Sequence, residues 1–142
     1  MKNFFFWIPL FLLTVGLTSC SSDDDANGVD ALVGSWKISD VKVNGTSMYE
    51  FLIQLPEGCF LHSQVHFNND HTLKLKPYEF VNNGCQATSE QNGTWSKSGN
   101  QYAFTMDGEE SDPVVLNFQN NNQFSYSEEI DGVYYELYFT RM

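Results

Sequence analysis

The amino-acid sequence predicts an all-β domain, an eight-stranded antiparallel up-and-down barrel over residues 31–142, behind an N-terminal leader and a short tether. Two observations carry this. Apolar residues alternate with polar ones at period two through most of the chain after residue 32, and Asn, Gly, Asp and Ser clusters interrupt them at short intervals. Short antiparallel connections with one apolar face favour a meander, and a meander escapes exposed edges by closing on itself. No helical periodicity of useful length competes.

The leader comes first. Lys2 is followed by an apolar run from Phe4 to Leu17, too short for a bilayer span of roughly 20 apolar residues. A basic start, a short apolar run containing Pro9, and small residues before a break read as a secretory signal peptide over residues 1–19. Leu17-Thr18-Ser19-Cys20 resembles the lipobox of bacterial lipoproteins. That resemblance implies cleavage before Cys20 and acylation of its thiol and new amine by chains such as palmitate. Two or more chains anchor stably where one does not. The alternative is a plain secreted protein. Ser21-Ser22-Asp23-Asp24-Asp25 begins a tether over residues 20–30, too polar to bury a core. It is similar to the acidic surface-export signal that follows the lipidated cysteine in one group of Gram-negative bacteria. The expected location is therefore the outer membrane at the cell surface, with its periplasmic face as the alternative.

Cleavage leaves 123 of the 142 residues, one domain with a modest core. Lys2 departs with the leader, so six basic and 18 acidic residues remain, a net charge of −12. This sign excludes nucleic acid, whose phosphates demand clustered Lys and Arg. It also excludes electrostatic adhesion to an anionic membrane, leaving the lipid as the membrane attachment. With Cys20 committed to lipid, Cys59 and Cys85 remain as an even pair. In an oxidising compartment they read as a disulfide rather than two free thiols. It is worth on the order of 3 kcal/mol on the chain-entropy model.

The strands follow in order. The first covers 33–43 with Trp36 and Ile38 on one face, and its alternation slips at Asp40-Val41, which predicts a bulge. Residues 48–55 suit a short helix at one barrel end. Strands are expected at 61–67 and 71–76 around Asn68-Asn69-Asp70, then at 93–97 after a long connection over 77–92 that Cys85 pins. Ser98-Gly99-Asn100 turns into 101–106, an acidic turn leads to 113–118, and Gln119–Asn122 leads to 123–128. Asp131-Gly132 opens the last strand, 133–141.

Leu32-Val33-Gly34-Ser35-Trp36 resembles the Gly-X-Trp that opens the lipocalins and their bacterial lipocalin-like relatives. Cys59, Phe67-Asn68-Asn69-Asp70-His71-Thr72, Cys85, Gly93-Thr94-Trp95 and the closing Tyr138-Phe139-Thr140-Arg141 are similar to landmarks of the small lipocalin-like lipoproteins. The family turn usually reads Asp-Gly where this chain has Asp70-His71, and the long C-terminal helix of animal lipocalins is missing. The resemblance implies that Trp36 plugs one barrel end while Arg141 packs across its ring. The alternative is a terminal Arg touching nothing.

Motifs for chemistry are sparse. His62 and His66 would share a strand face at about 13 Å, too far for one ion. Asp107, Glu109, Glu110 and Asp112 lack the spacing of a calcium loop and read as a solvated acidic turn. No nucleophile elbow, phosphate loop or dinucleotide fingerprint appears, so neither catalytic residues, metal nor cofactor is expected. Two readings remain. In one, the barrel binds a small apolar or amphipathic ligand among Ile38, Phe67, Leu73, Tyr102, Phe104, Leu116, Phe124, Tyr126, Tyr135 and Leu137. In the other, those bulky residues fill the interior. The outer surface, with Tyr134 and Tyr138, then docks or inhibits another exported protein. A connected cavity of roughly 300 Å³ or more decides for the first.

Overall fold

The computed structural model describes residues 28–142. The expected leader 1–19, the expected lipidation site Cys20 and the expected tether as far as residue 27 lie outside the described residues. In chain order the elements are β1 (Gly34–Val43), β2 (Thr46–Ser47), α1 (Tyr49–Leu52), a 3-10 helix (Pro56–His62), β3 (Gln64–Phe67) and β4 (Thr72–Lys76). There follow β5 (Tyr78–Val81), β6 (Gly84–Ala87), β7 (Gln91–Ser98), β8 (Gln101–Met106), β9 (Glu109–Glu110) and β10 (Val114–Val115). The chain ends with β11 (Asn117–Asn120), β12 (Gln123–Ile130) and β13 (Val133–Arg141).

The sheet closes on itself. β1 lies between β3 and β13, with Trp36 opposite Val65 on one side and Arg141 on the other. β10 pairs with β8, and β11 pairs with β12, all antiparallel. Only Leu116 separates β10 from β11, so one extended segment bridges both ends of the strand order. The barrel therefore has eight staves: β1, β3, β4, β7, β8, β10–β11, β12 and β13. Full closure leaves no long edge exposed, which is what makes this topology stable for so small a domain.

Local sequence explains the geometry. The slip in β1 is a bulge: Ile38 faces Phe139 and Val41 faces Leu137, so one extra residue sits on β1 and both side chains turn inward. Asn44-Gly45, Asn82-Asn83, Asp107-Gly108 and Asp131-Gly132 all have positive φ at both positions. That is the type I′ pattern, whose twist matches the strands it joins. His71 occupies a left-handed position (φ 66°) in the turn between β3 and β4. Asp70 holds the turn by accepting the Thr72 N–H at 3.0 Å, while the His71 ring lies 4.5 Å from Trp95.

Three expectations need correction. The second strand begins at Gln64, not 61, because Pro56 opens a 3-10 helix that buries Cys59 and Leu61. His62 therefore shares no strand face with His66: its ring lies beside Tyr78, while His66 Nδ1 sits 2.7 Å from Ser35 Oγ. The long connection over 77–92, to which no strand was assigned, carries the hairpin β5–β6, separate from the barrel sheet. Cys59 and Cys85 are joined, tying that hairpin to the 3-10 helix.

The core has two parts. Leu32, Trp36, Phe67, Leu73, Trp95, Tyr102, Leu116 and Phe124 form the larger, inside the barrel. Ile38, Val41 and Leu61 form the smaller, covered by Tyr49, Leu52 and Ile53 of the helical connection. Among the described residues no helix is long and apolar enough to cross a membrane.

Candidate ligand cavity

One end of the barrel is sealed. Trp36 is fully buried, and its Nε1 donates to the Leu32 carbonyl at 2.7 Å. The Arg141 guanidinium stands 4.3 Å from the Trp36 ring. It donates to the carbonyls of Val33 (2.7 Å), Ala31 (2.9 Å) and Asn121 (2.8 Å). Gly34 makes this possible, since its φ is +138° and a Cβ there would fall on the guanidinium. Below the tryptophan, Asp30 accepts from the Leu32 N–H (2.8 Å), the Tyr102 hydroxyl (3.0 Å) and Lys97 Nζ (2.8 Å). Partial burial alone would raise the Asp30 carboxyl, but these donors outweigh it and hold it below the ordinary value. Burial, then the Asp30 charge, pushes the Tyr102 hydroxyl up to about 12. The Asp30 hydrogen bond in turn raises Lys97.

Above this floor the interior is not filled. A cavity of about 380 Å³ opens at the opposite end. Phe67, Leu73, Phe104, Leu116, Phe124 and Tyr126 line it, all six among the residues expected from alternation. Val65, Leu75, Met106, Ser111, Val114 and Phe139 complete the wall and were not among the expected lining residues. Alternation could have found most of them. Val65 and Leu75 continue the faces of Phe67 and Leu73, and Phe139 continues that of Leu137.

The other four expected residues stand elsewhere. Tyr102 belongs to the floor, bonded to Asp30. Ile38 and Leu137 pack under the helical connection with Leu61. Tyr135 sits opposite Val43 and Glu128, beyond the cavity wall. All four have inward register; Ile38, Leu137 and Tyr102 are cross-strand partners of the wall residues Phe139, Tyr126 and Val114, but their side chains are taken up by packing under the helical connection or by the Asp30 floor.

The wall is almost wholly apolar. Ser111 Oγ accepts the Phe104 N–H at 3.1 Å. The Tyr126 hydroxyl is raised, first by burial and then by its hydrogen bond with Glu128. A site of this kind holds a ligand by area removed from water, about 25 cal/mol per Å² of apolar surface, and orients it with few polar atoms. Among the described residues no group of His, Cys, Asp and Glu is placed to hold a metal ion. A larger depression, about 580 Å³, lies over Asn120–Gln123 and Thr140, but it is a shallow polar surface without an apolar wall.

The outer face offers less than the sequence suggested. Tyr134 is exposed, but Tyr138 is half-buried beneath Lys42, whose Nζ lies 4.4 Å from its ring.

A closed eight-stave meander with a Trp–Arg plug and an apolar calyx defines a class of protein, and the comparison with known families agrees. The model of the lipocalin-like domain matches residues 32–136, and the chain belongs to that family. Among solved structures, it is similar to a de novo designed fluorescence-activating β-barrel, with 14% identity, TM-score 0.39, and 78% of this chain and 93% of that one covered. A redesigned β-barrel gives 17% identity, TM-score 0.39, and 79% and 92% coverage. No curated protein matches the chain.

Proposed function

We propose that this protein is a lipid-anchored binding protein, exposed at the cell surface, that holds a small apolar or amphipathic molecule in its barrel. The observation that carries the reading is the cavity of about 380 Å³ with its apolar wall, within the range of roughly 300–1,000 Å³ typical of small-molecule sites. A filled interior would have favoured an outer-surface role in docking or inhibiting another exported protein. The lipid anchor rests on the Leu17-to-Cys20 motif, and the surface location on the acidic run after it.

Two measurements on protein from its own membrane test this. Intact-mass analysis is expected to show acyl mass on a chain beginning at Cys20. Native mass spectrometry after gentle release is expected to show a co-purifying small molecule. Unmodified mature mass refutes the anchor. A barrel that is empty in every preparation, and that takes up no apolar probe, refutes the binding role.

A further inference from the structure

The cavity wall carries only two side-chain oxygens, those of Ser111 and Tyr126. The Tyr126 hydroxyl is engaged with Glu128. Ser111 owes its place to an irregularity beside β8. Both β9 and β10 pair with β8, but Thr105 faces Glu110 whereas Tyr102 faces Val114. Three residues therefore oppose two, a bulge of the kind that re-aims a side chain next to a site. The Ser111 N–H donates to the Phe104 carbonyl at 2.7 Å, as in a regular antiparallel pair. The return bond from the Phe104 N–H goes at 3.1 Å to Ser111 Oγ instead of a main-chain carbonyl.

Two bonds to one residue of β8 thus fix the serine oxygen at the wall. Accepting an N–H leaves the hydroxyl its own proton to donate, and among the described residues no protein group accepts it. Ser111 is solvent-exposed, so this donor stands where the apolar wall meets water. A ligand oxygen that replaces water there keeps a hydrogen bond while the rest of the molecule enters the calyx. No described Lys or Arg lines the cavity, so a carboxylate would give up water without gaining a counter-charge. A hydroxyl would bring a donor that the wall must also satisfy. An uncharged carbonyl brings acceptor capacity alone.

We propose that Ser111 is the positioning residue of the cavity, and that the ligand is an apolar molecule bearing an uncharged carbonyl, as in a ketone, aldehyde or ester. This rests on the ligand-binding reading above. The carbonyl oxygen accepts from the Ser111 hydroxyl at the mouth, and the apolar body fills the calyx.

The test uses residues 21–142, which retain every described residue, titrated with butyrophenone and butylbenzene and followed by NMR. The two probes share one carbon skeleton and differ only by the carbonyl. Water favours the ketone over the hydrocarbon, so the quantity read is the ratio of their affinities, compared between proteins. Ser111→Ala is expected to lower the ketone-to-hydrocarbon ratio by about fivefold, the size of one hydrogen bond, and to leave butylbenzene affinity within about twofold. Ser111→Thr keeps the hydroxyl and is expected to keep the ratio, while Ser111→Val, of the same shape, is expected to lose it. The infrared carbonyl stretch of bound butyrophenone needs no variant to fold. It is expected below its value in a hydrocarbon solvent, and to shift back in Ser111→Ala. A ratio that Ser111→Ala leaves unchanged, or a bound stretch equal to that in hydrocarbon, overturns the carbonyl inference, while butylbenzene binding preserves the cavity reading. Failure of both probes, and of decanol as a longer one, to bind overturns both.

Discussion

Replacing Gly34 by alanine should unseat the plug, and the cost should depend on Arg141. Gly34 sits at φ +138°, and its missing Cβ is the space the Arg141 guanidinium occupies. Alanine at such a backbone angle costs about 1–3 kcal/mol on its own. The displaced guanidinium also loses its place over Trp36, about 0.5–2 kcal/mol. It further loses three charge-assisted hydrogen bonds to main-chain carbonyls, whose combined loss is smaller than the sum of separate deletions. We expect Gly34→Ala to cost about 4 kcal/mol and Arg141→Ala about 3 kcal/mol. In the Arg141→Ala background only the backbone part of the glycine substitution survives, about 2 kcal/mol, so the pair should show a coupling energy of about 2 kcal/mol. Urea titrations read by Trp36 and Trp95 fluorescence, with the disulfide intact, measure all four corners of the cycle. At about 4 °C per kcal/mol for a domain this size, Arg141→Ala should lower Tm by roughly 12 °C. Additive costs would refute the reasoning, because they would mean that Gly34 is not there to admit the guanidinium.

Three further outcomes follow from the same geometry. Reduction of Cys59–Cys85, 26 residues apart, should lower stability by about 3 kcal/mol. Amide exchange should then rise first in the 3-10 helix and β5–β6, and a uniform rise would argue against a local tie. Asp30 is depressed in the fold, so its contribution is complete above the ordinary 3.8 and disappears as pH falls below that value. Tyr102 is raised from 10.0 to about 12, so its neutral form stabilises the fold fully below pH 10 and this is lost as pH climbs toward 12. The urea midpoint should fall more steeply over that alkaline window in the wild type than in Tyr102→Phe, and parallel slopes would contradict the assignment. Finally, Leu75→Trp with Val114→Trp should fill the calyx from two sides and weaken decanol binding by about tenfold or more, with a stability change of only about 1–2 kcal/mol. Undiminished binding would place the ligand elsewhere.

Much of this arrangement is legible in one dimension, and particular residues show how far. The alternation through Trp36, Ile38, Phe67, Leu73 and Phe124 assigns each side chain to a face, because strand side chains repeat every two residues. The bulge in β1 was readable as a slip at Asp40-Val41, since an extra residue must break that period. Residues 77–92 were harder. Their hairpin is short, lies off the barrel and turns on Asn82-Asn83, with little apolar alternation of its own. The 3-10 helix was hidden because Leu61 and Val65 fit a strand period as well as a helical turn.

What the chain alone determined was the closed all-β topology, the face of each strand residue and the cysteine pair available for bonding. These depend on local spacing and composition. Which inward side chains pack against neighbours and which border open space came only with the folded ring. Tyr102 and Tyr126 share an inward face, yet one is sealed against Asp30 and the other borders open space. Whether an interior is empty depends on ring volume less the side chains from eight staves at once, and no single stretch of sequence contains that difference.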